Sequence, residues 1–130
     1  MATGMTLDRY NEFCASLPHA THVVQWGGSH VWKVGGKVFA IASVEVDGKV
    51  FVTFKCSPLS FDLLKGEAGM RPAPYLASRG LVWLQRTSAV AIDDATLMAY
   101  VRESHRLAGL NLPKRVQREL GFLPATGGRA

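Results

Sequence analysis

A chain of 130 residues has room for one domain and is short for two. With 48% hydrophobic and 19% charged residues it is neither an intrinsically disordered chain nor one that needs disulfides or a metal to complete a core. The net charge of +5 is unevenly placed. Through Leu64, Arg9, Lys33, Lys37, Lys49 and Lys55 are matched by Asp8, Glu12, Glu45, Asp47 and Asp62. Beyond it, Lys65, Arg71, Arg79, Arg86, Arg102, Arg106, Lys114, Arg115, Arg118 and Arg129 face only Glu67, Asp93, Asp94, Glu103 and Glu119. That asymmetry raises the odds of an anionic partner.

One domain is expected over 1–130, ordered over about 6–122, with a loose tail over 125–130. The opening Met-Ala-Thr-Gly lacks the basic and apolar regions of a signal peptide, and no apolar run is long enough for a membrane span. We therefore expect a cytoplasmic protein, its Cys14 and Cys56 read as two reduced thiols, with a disulfide or reactive thiol left open.

Thr6 can cap a helix in which Leu7, Tyr10, Phe13, Cys14 and Leu17 form one apolar stripe, stopped by Pro18. Short strands follow: Val23 to Trp26, His30 to Val34, Val38 to Val44 and Val50 to Lys55. Gly27-Gly28, Gly35-Gly36 and Asp47-Gly48 separate them as hairpin turns, so the arrangement is an antiparallel meander. Ser57-Pro58 opens a short helix expected to turn Leu59 and Leu63 inward, with Phe61 and Leu64 as further candidates. Met70 to Gly80, with Pro72 and Pro74, reads as irregular. Leu81 to Gln85 reads as a strand, and Ala89 to Ile92 as a short extended piece or its continuation. Asp93 or Asp94 caps a helix through about Leu107, with Leu97, Val101, Ser104 and Ala108 on one face; Gly109 breaks it. Pro113 begins a last short helix carrying Lys114, Arg115 and Arg118, stopped by Gly121.

Several fragments in this order resemble the MmcQ/YjbR family over about Leu7 to Leu120. They are Trp26-Gly27, Gly36-Lys37-Val38-Phe39-Ala40, Phe54-Lys55-Cys56-Ser57-Pro58, Pro72-Ala73-Pro74-Tyr75, Trp83, and Ser104 to Leu107 before Leu112-Pro113-Lys114. The resemblance implies an α/β protein of the α+β two-layer kind: an antiparallel meander sheet with helices on one face, similar to the CyaY (bacterial frataxin) fold. It also implies DNA binding of a so-called double-wing type. Leu76-Ala77-Ser78-Arg79-Gly80 departs from the Asn-Lys and His-Trp pattern associated with the family, and His105 stands where an aromatic is common.

The candidate phosphate contacts are Lys33, Lys37 and Lys49 at the hairpins, Arg79 and Arg86 flanking the Trp83 strand, and Lys114, Arg115 and Arg118. Trp26, Tyr75, Trp83 and His105 are candidates for a groove, which with Arg79 would serve a protein or small ligand instead. His19 and His22 lack further ligands unless His30 or Cys56 joins them, and a carboxylate cluster for iron is missing, so no metal and no cofactor are expected. Ser57, Cys14 and Cys56 are conceivable nucleophiles, and His22, His30 and His105 conceivable bases, but no spacing brings any pair together. The expected partner is DNA, alternatively a protein or small ligand, with no membrane; the expected state is a monomer or weak dimer, and an enzyme ranks third behind these binding readings.

Overall fold

The computed structural model describes residues 5–74 and 82–123. The first helix is α1 (Leu7–Ala15), and the Thr6 hydroxyl accepts the Arg9 amide at 3.2 Å at its start. This satisfies one of the donors that every helix leaves unpaired in its first turn. Four strands follow in a meander: β1 (Ala20–Gln25), β2 (Ser29–Val34), β3 (Lys37–Val44) and β4 (Val50–Lys55). Then come α2 (Pro58–Leu64), β5 (Met70–Pro72), β6 (Trp83–Arg86), α3 (Asp94–Leu110) and α4 (Lys114–Leu120). The six strands form one antiparallel sheet in the order β1-β2-β3-β4-β6-β5.

Four local expectations are corrected. Met70–Pro72 is a strand despite its proline, because it lies on the sheet edge, where a missing N–H costs no ladder bond. Ala89 to Ile92 is a run of bends leading to the Asp93 cap, where the side chain accepts the Thr96 amide at 2.8 Å. α3 runs through Gly109 to Leu110, its packed face outweighing glycine's poor helix propensity. In α2, Phe61 and Leu64 pack against the core while Leu59 and Leu63 face solvent. Four apolar residues in a seven-residue helix lie nearly all round its axis, so spacing does not choose the buried side.

α1 and α3 cover one face of the sheet. Register places Trp32, Ala40, Phe54 and Leu84 in one row toward the helices, and Ala42, Val52 and Arg86 in the next. At the β1 edge, Trp32 stacks on His22 at 4.7 Å and donates its indole N–H to Asn11 of α1 at 2.9 Å. Tyr10 adds a bond from its hydroxyl to the His30 carbonyl at 2.9 Å.

Between Trp32 and Lys33 the β2–β3 register slips, leaving Phe39 as the extra residue of β3. A bulge allows two successive side chains onto one face. Phe39 therefore joins Ala40 beneath α3, where its ring meets His105 edge-on at 5.1 Å. The interruption also costs a rung between β3 and β4, and Ser104 replaces it. Its buried hydroxyl donates to the Phe39 carbonyl at 2.6 Å and accepts the Lys55 amide at 2.8 Å. A serine in the apolar stripe of α3 is thus a repair to the sheet.

Candidate nucleic-acid interface

Lys33 is the penultimate residue of β2, Lys37 begins β3 and Lys55 ends β4, so all three lie at one end of the sheet. The turn between the first two packs on the α3–α4 junction. Gly35 has φ +57, and a Cβ built there would sit 2.7 Å from Leu112 Cδ1. Only a residue without a side chain permits this approach.

Leu112 is followed immediately by α4, which Gln117 holds in place. Its amide donates to the Leu110 carbonyl at 3.0 Å and to the Leu112 carbonyl at 2.6 Å. With Gln117 inward, Lys114, Arg115 and Arg118 are exposed. Arg115 is partly neutralised by Glu119 at 3.7 Å, an exposed pair that solvent screens. The Gly35–Leu112 contact therefore brings the turn flanked by Lys33 and Lys37 to the start of the helix that carries Lys114, Arg115 and Arg118, although the two segments lie far apart in the chain. Lys55 lies at the same end of the sheet and was not among the expected contacts. It directs its side chain to the face away from the helices, as Lys33 does. Strand alternation was its available signal.

Two described candidate contacts do not join this group. Lys49 is at the opposite end of β3, in the turn to β4, and faces Asp47 at 3.9 Å. Eight residues of strand put it on the order of 20 Å away. Arg86 is corrected outright, for it is 1% exposed. It donates to the Ile92 carbonyl at 3.0 Å and to Asp94 at 2.9 Å, so its charge is spent inside the protein. Arg79 and Tyr75 lie outside the described residues.

The expected groove is also redrawn. Trp26 is 62% exposed beyond the β1 edge, whereas Trp83 is buried on β6, four strands across. Trp83 points away from the helices, and its indole N–H finds no partner among the described residues. On the same face Arg71 donates to Gln85 at 2.7 Å, and Gln85 donates to Thr53 at 3.2 Å, a polar ladder across three strands. His105 is on the other side of the sheet, buried under α3. Trp26, Trp83 and His105 therefore do not line one site.

The buried imidazole of His105 donates from Nε2 to the Pro18 carbonyl at 2.8 Å. Burial holds its pKa below the ordinary 6.5 despite that bond. As pH falls below 6.5, the unfolded chain takes up a proton that the folded chain resists, so stability declines on acidification. His22 shifts in the same direction, first through desolvation and then through His30. Thermal melts from pH 8 to 5 should show this fall, less steep in His105→Gln; equal slopes would refute the assignment.

Among the described residues no three His, Cys, Asp or Glu side chains come together to hold a metal. Cys14 and Cys56 are free and buried, and burial pushes their thiols up to about 12 and about 11. Thiols so far from ionisation are poor nucleophiles at neutral pH. Among the described residues no helix is long and apolar enough to cross a membrane.

These features define an α+β domain with a mostly antiparallel sheet and helices on one face. The YjbR family model matches residues 15–107, and the chain belongs to that family. No curated protein matches it in sequence. Among solved structures, the Deinococcus radiodurans protein DR2400, a DUF419 domain, is similar with a TM-score of 0.78. The likeness covers 96% of this chain and 94% of that one at 21% identity, which speaks to fold alone.

Proposed function

We propose that this protein binds the phosphate backbone of DNA, without strict sequence preference, through the basic end formed by Lys33, Lys37, Lys55, Lys114, Arg115 and Arg118. The observation that carries the reading is the packing of Gly35 on Leu112, which unites two cationic segments. Side chains on a hairpin and on a helix, supported by one packed junction, suit phosphate contact because they are held in register at little further entropic cost. Family membership and the double-wing description that the resemblance implies support the same reading, and a CyaY-like lineage and a cytoplasmic setting are part of the proposal. No catalytic step is part of it.

A salt titration tests it. With four or five phosphate contacts, log affinity for duplex DNA should fall against log salt with a slope of about −4, from micromolar binding at about 50 mM. Lys37→Gln and Lys114→Gln should each make that slope shallower by about 1, and Lys49→Gln should leave it unchanged. No micromolar affinity at low salt, or affinity indifferent to salt, overturns the reading.

A second reading is a groove for a protein or small ligand on the open face. The buried indole N–H of Trp83, which has no partner among the described residues, favours it, since such a donor is costly to leave unmet.

A further inference from the structure

The two edges of the sheet are built differently. β5 is three residues long and carries Arg71 and Pro72, a charge and a residue without an N–H, both of which discourage another strand from joining. β1 has six residues, no Lys, Arg, Asp, Glu or proline, and an unbroken register with β2. Its outer backbone groups have no strand beside them among the described residues. Val23, Val24 and Trp26 are exposed on it or directly after it, Val24 to 52%. Unpaired N–H and C=O groups in a row select an extended strand as their partner. The side chains indicate which strand.

We propose that β1 pairs antiparallel with β1 of a second copy of this chain, centred on Val23, so that one sheet continues across a two-fold axis. In an antiparallel pair, directly opposed residues point to the same face. A strand facing its own copy must therefore pair odd positions with odd and even with even. Centred on Val23, valine meets valine and Thr21 meets Gln25 on the open face, while Val24 meets His22 on the helix face. Ala20 of the second copy, the smallest side chain of the strand, then faces the turn that begins at Trp26. Centring on His22 instead would oppose two imidazoles and carry the pairing past the start of the strand at Ala20. The strand is also a neutral part of a chain carrying +5, and the first cation beside it, Lys33, stands on the next strand. Two copies can meet here with little charge repulsion, and that little is screened by salt. The dimer should thus persist or tighten as salt rises, opposite to DNA binding, so the two proposals fail separately.

Sedimentation of the full chain across micromolar to millimolar concentration tests the pairing. The expected result is a monomer–dimer equilibrium that Val24→Lys weakens by about tenfold or more, since each dimer receives two charges at the seam. Val46→Lys, on the fully exposed β3–β4 turn, should leave it unchanged. Circular dichroism checks that Val24→Lys keeps its fold. As an independent measure, Val23→Cys should form a covalent dimer on mild oxidation, with the buried Cys14 and Cys56 not competing, and Val46→Cys should not. A chain that stays monomeric at millimolar concentration, including one whose β1 instead accepts a strand from another protein, overturns the proposal. So does a dimer indifferent to Val24→Lys, or one that Val46→Cys cross-links and Val23→Cys does not.

Discussion

Replacing Arg86 with methionine is expected to lower the melting temperature by on the order of 10 °C while leaving DNA affinity, measured well below that temperature, unchanged. Arg86 is the largest fully buried side chain among the described residues. It joins the end of the sheet to the Ile92 carbonyl and, through Asp94, to the first turn of α3. Arg9 of α1 reaches the other oxygen of Asp94 at 3.5 Å, so one carboxylate ties three elements together. Breaking a buried pair by removing one partner costs about 3–5 kcal/mol. The lower end applies here, because Asp94 keeps Arg9 and is 18% exposed. Changing Asp94 to asparagine as well should cost less than the two single losses added together, since the second change removes the charge stranded by the first. Calorimetry of the four proteins measures this. If Arg86→Met instead keeps its stability and loses DNA affinity, the arginine is a surface contact after all.

Gly35→Val is expected to weaken DNA binding by about tenfold with no change in charge, and to destabilise the fold by about 2 kcal/mol. Two effects combine. A β-branched residue is strained at φ +57, and its side chain would meet both methyls of Leu112, at 2.7 and 2.9 Å from its Cβ. The hairpin must then move away from α4, separating Lys33 and Lys37 from Lys114 and Arg115. Gly36→Ala is the control. Its φ is +85, but nothing lies within 4 Å of the added Cβ, so it should lose stability and keep affinity. Equal loss of affinity in both variants would mean that general destabilisation, rather than the junction, weakens binding.

Residues with local effects were legible. Thr6 and Ser57 cap the helices they were expected to cap, Asp93 rather than Asp94 caps α3, and the paired glycines turn the meander. The apolar stripe of α3 was also readable, Ser104 included, but the reason for that serine was not. Its hydroxyl answers a bulge at Phe39, and nothing near position 104 announces a missing rung between distant strands. Arg86 misled for a related reason. It was expected as a surface contact flanking the Trp83 strand, whereas the register puts it on the same face as Leu84, and only the approach of Asp94 makes an inward guanidinium tolerable. The basic cluster was half visible: its members could be named, whereas the separation of Lys49 and the inclusion of Lys55 needed the register.

From the amino-acid order alone came the meander, the caps, the family resemblance and the surplus of positive charge, because φ preferences, capping bonds and apolar periodicity act between residues a few positions apart. Which cations share a surface, which tryptophan is buried and which sheet edge stays open were decided by tertiary packing. Those outcomes depend on contacts such as Gly35 with Leu112, where excluded volume between distant segments, rather than any local preference, determines what lies next to what.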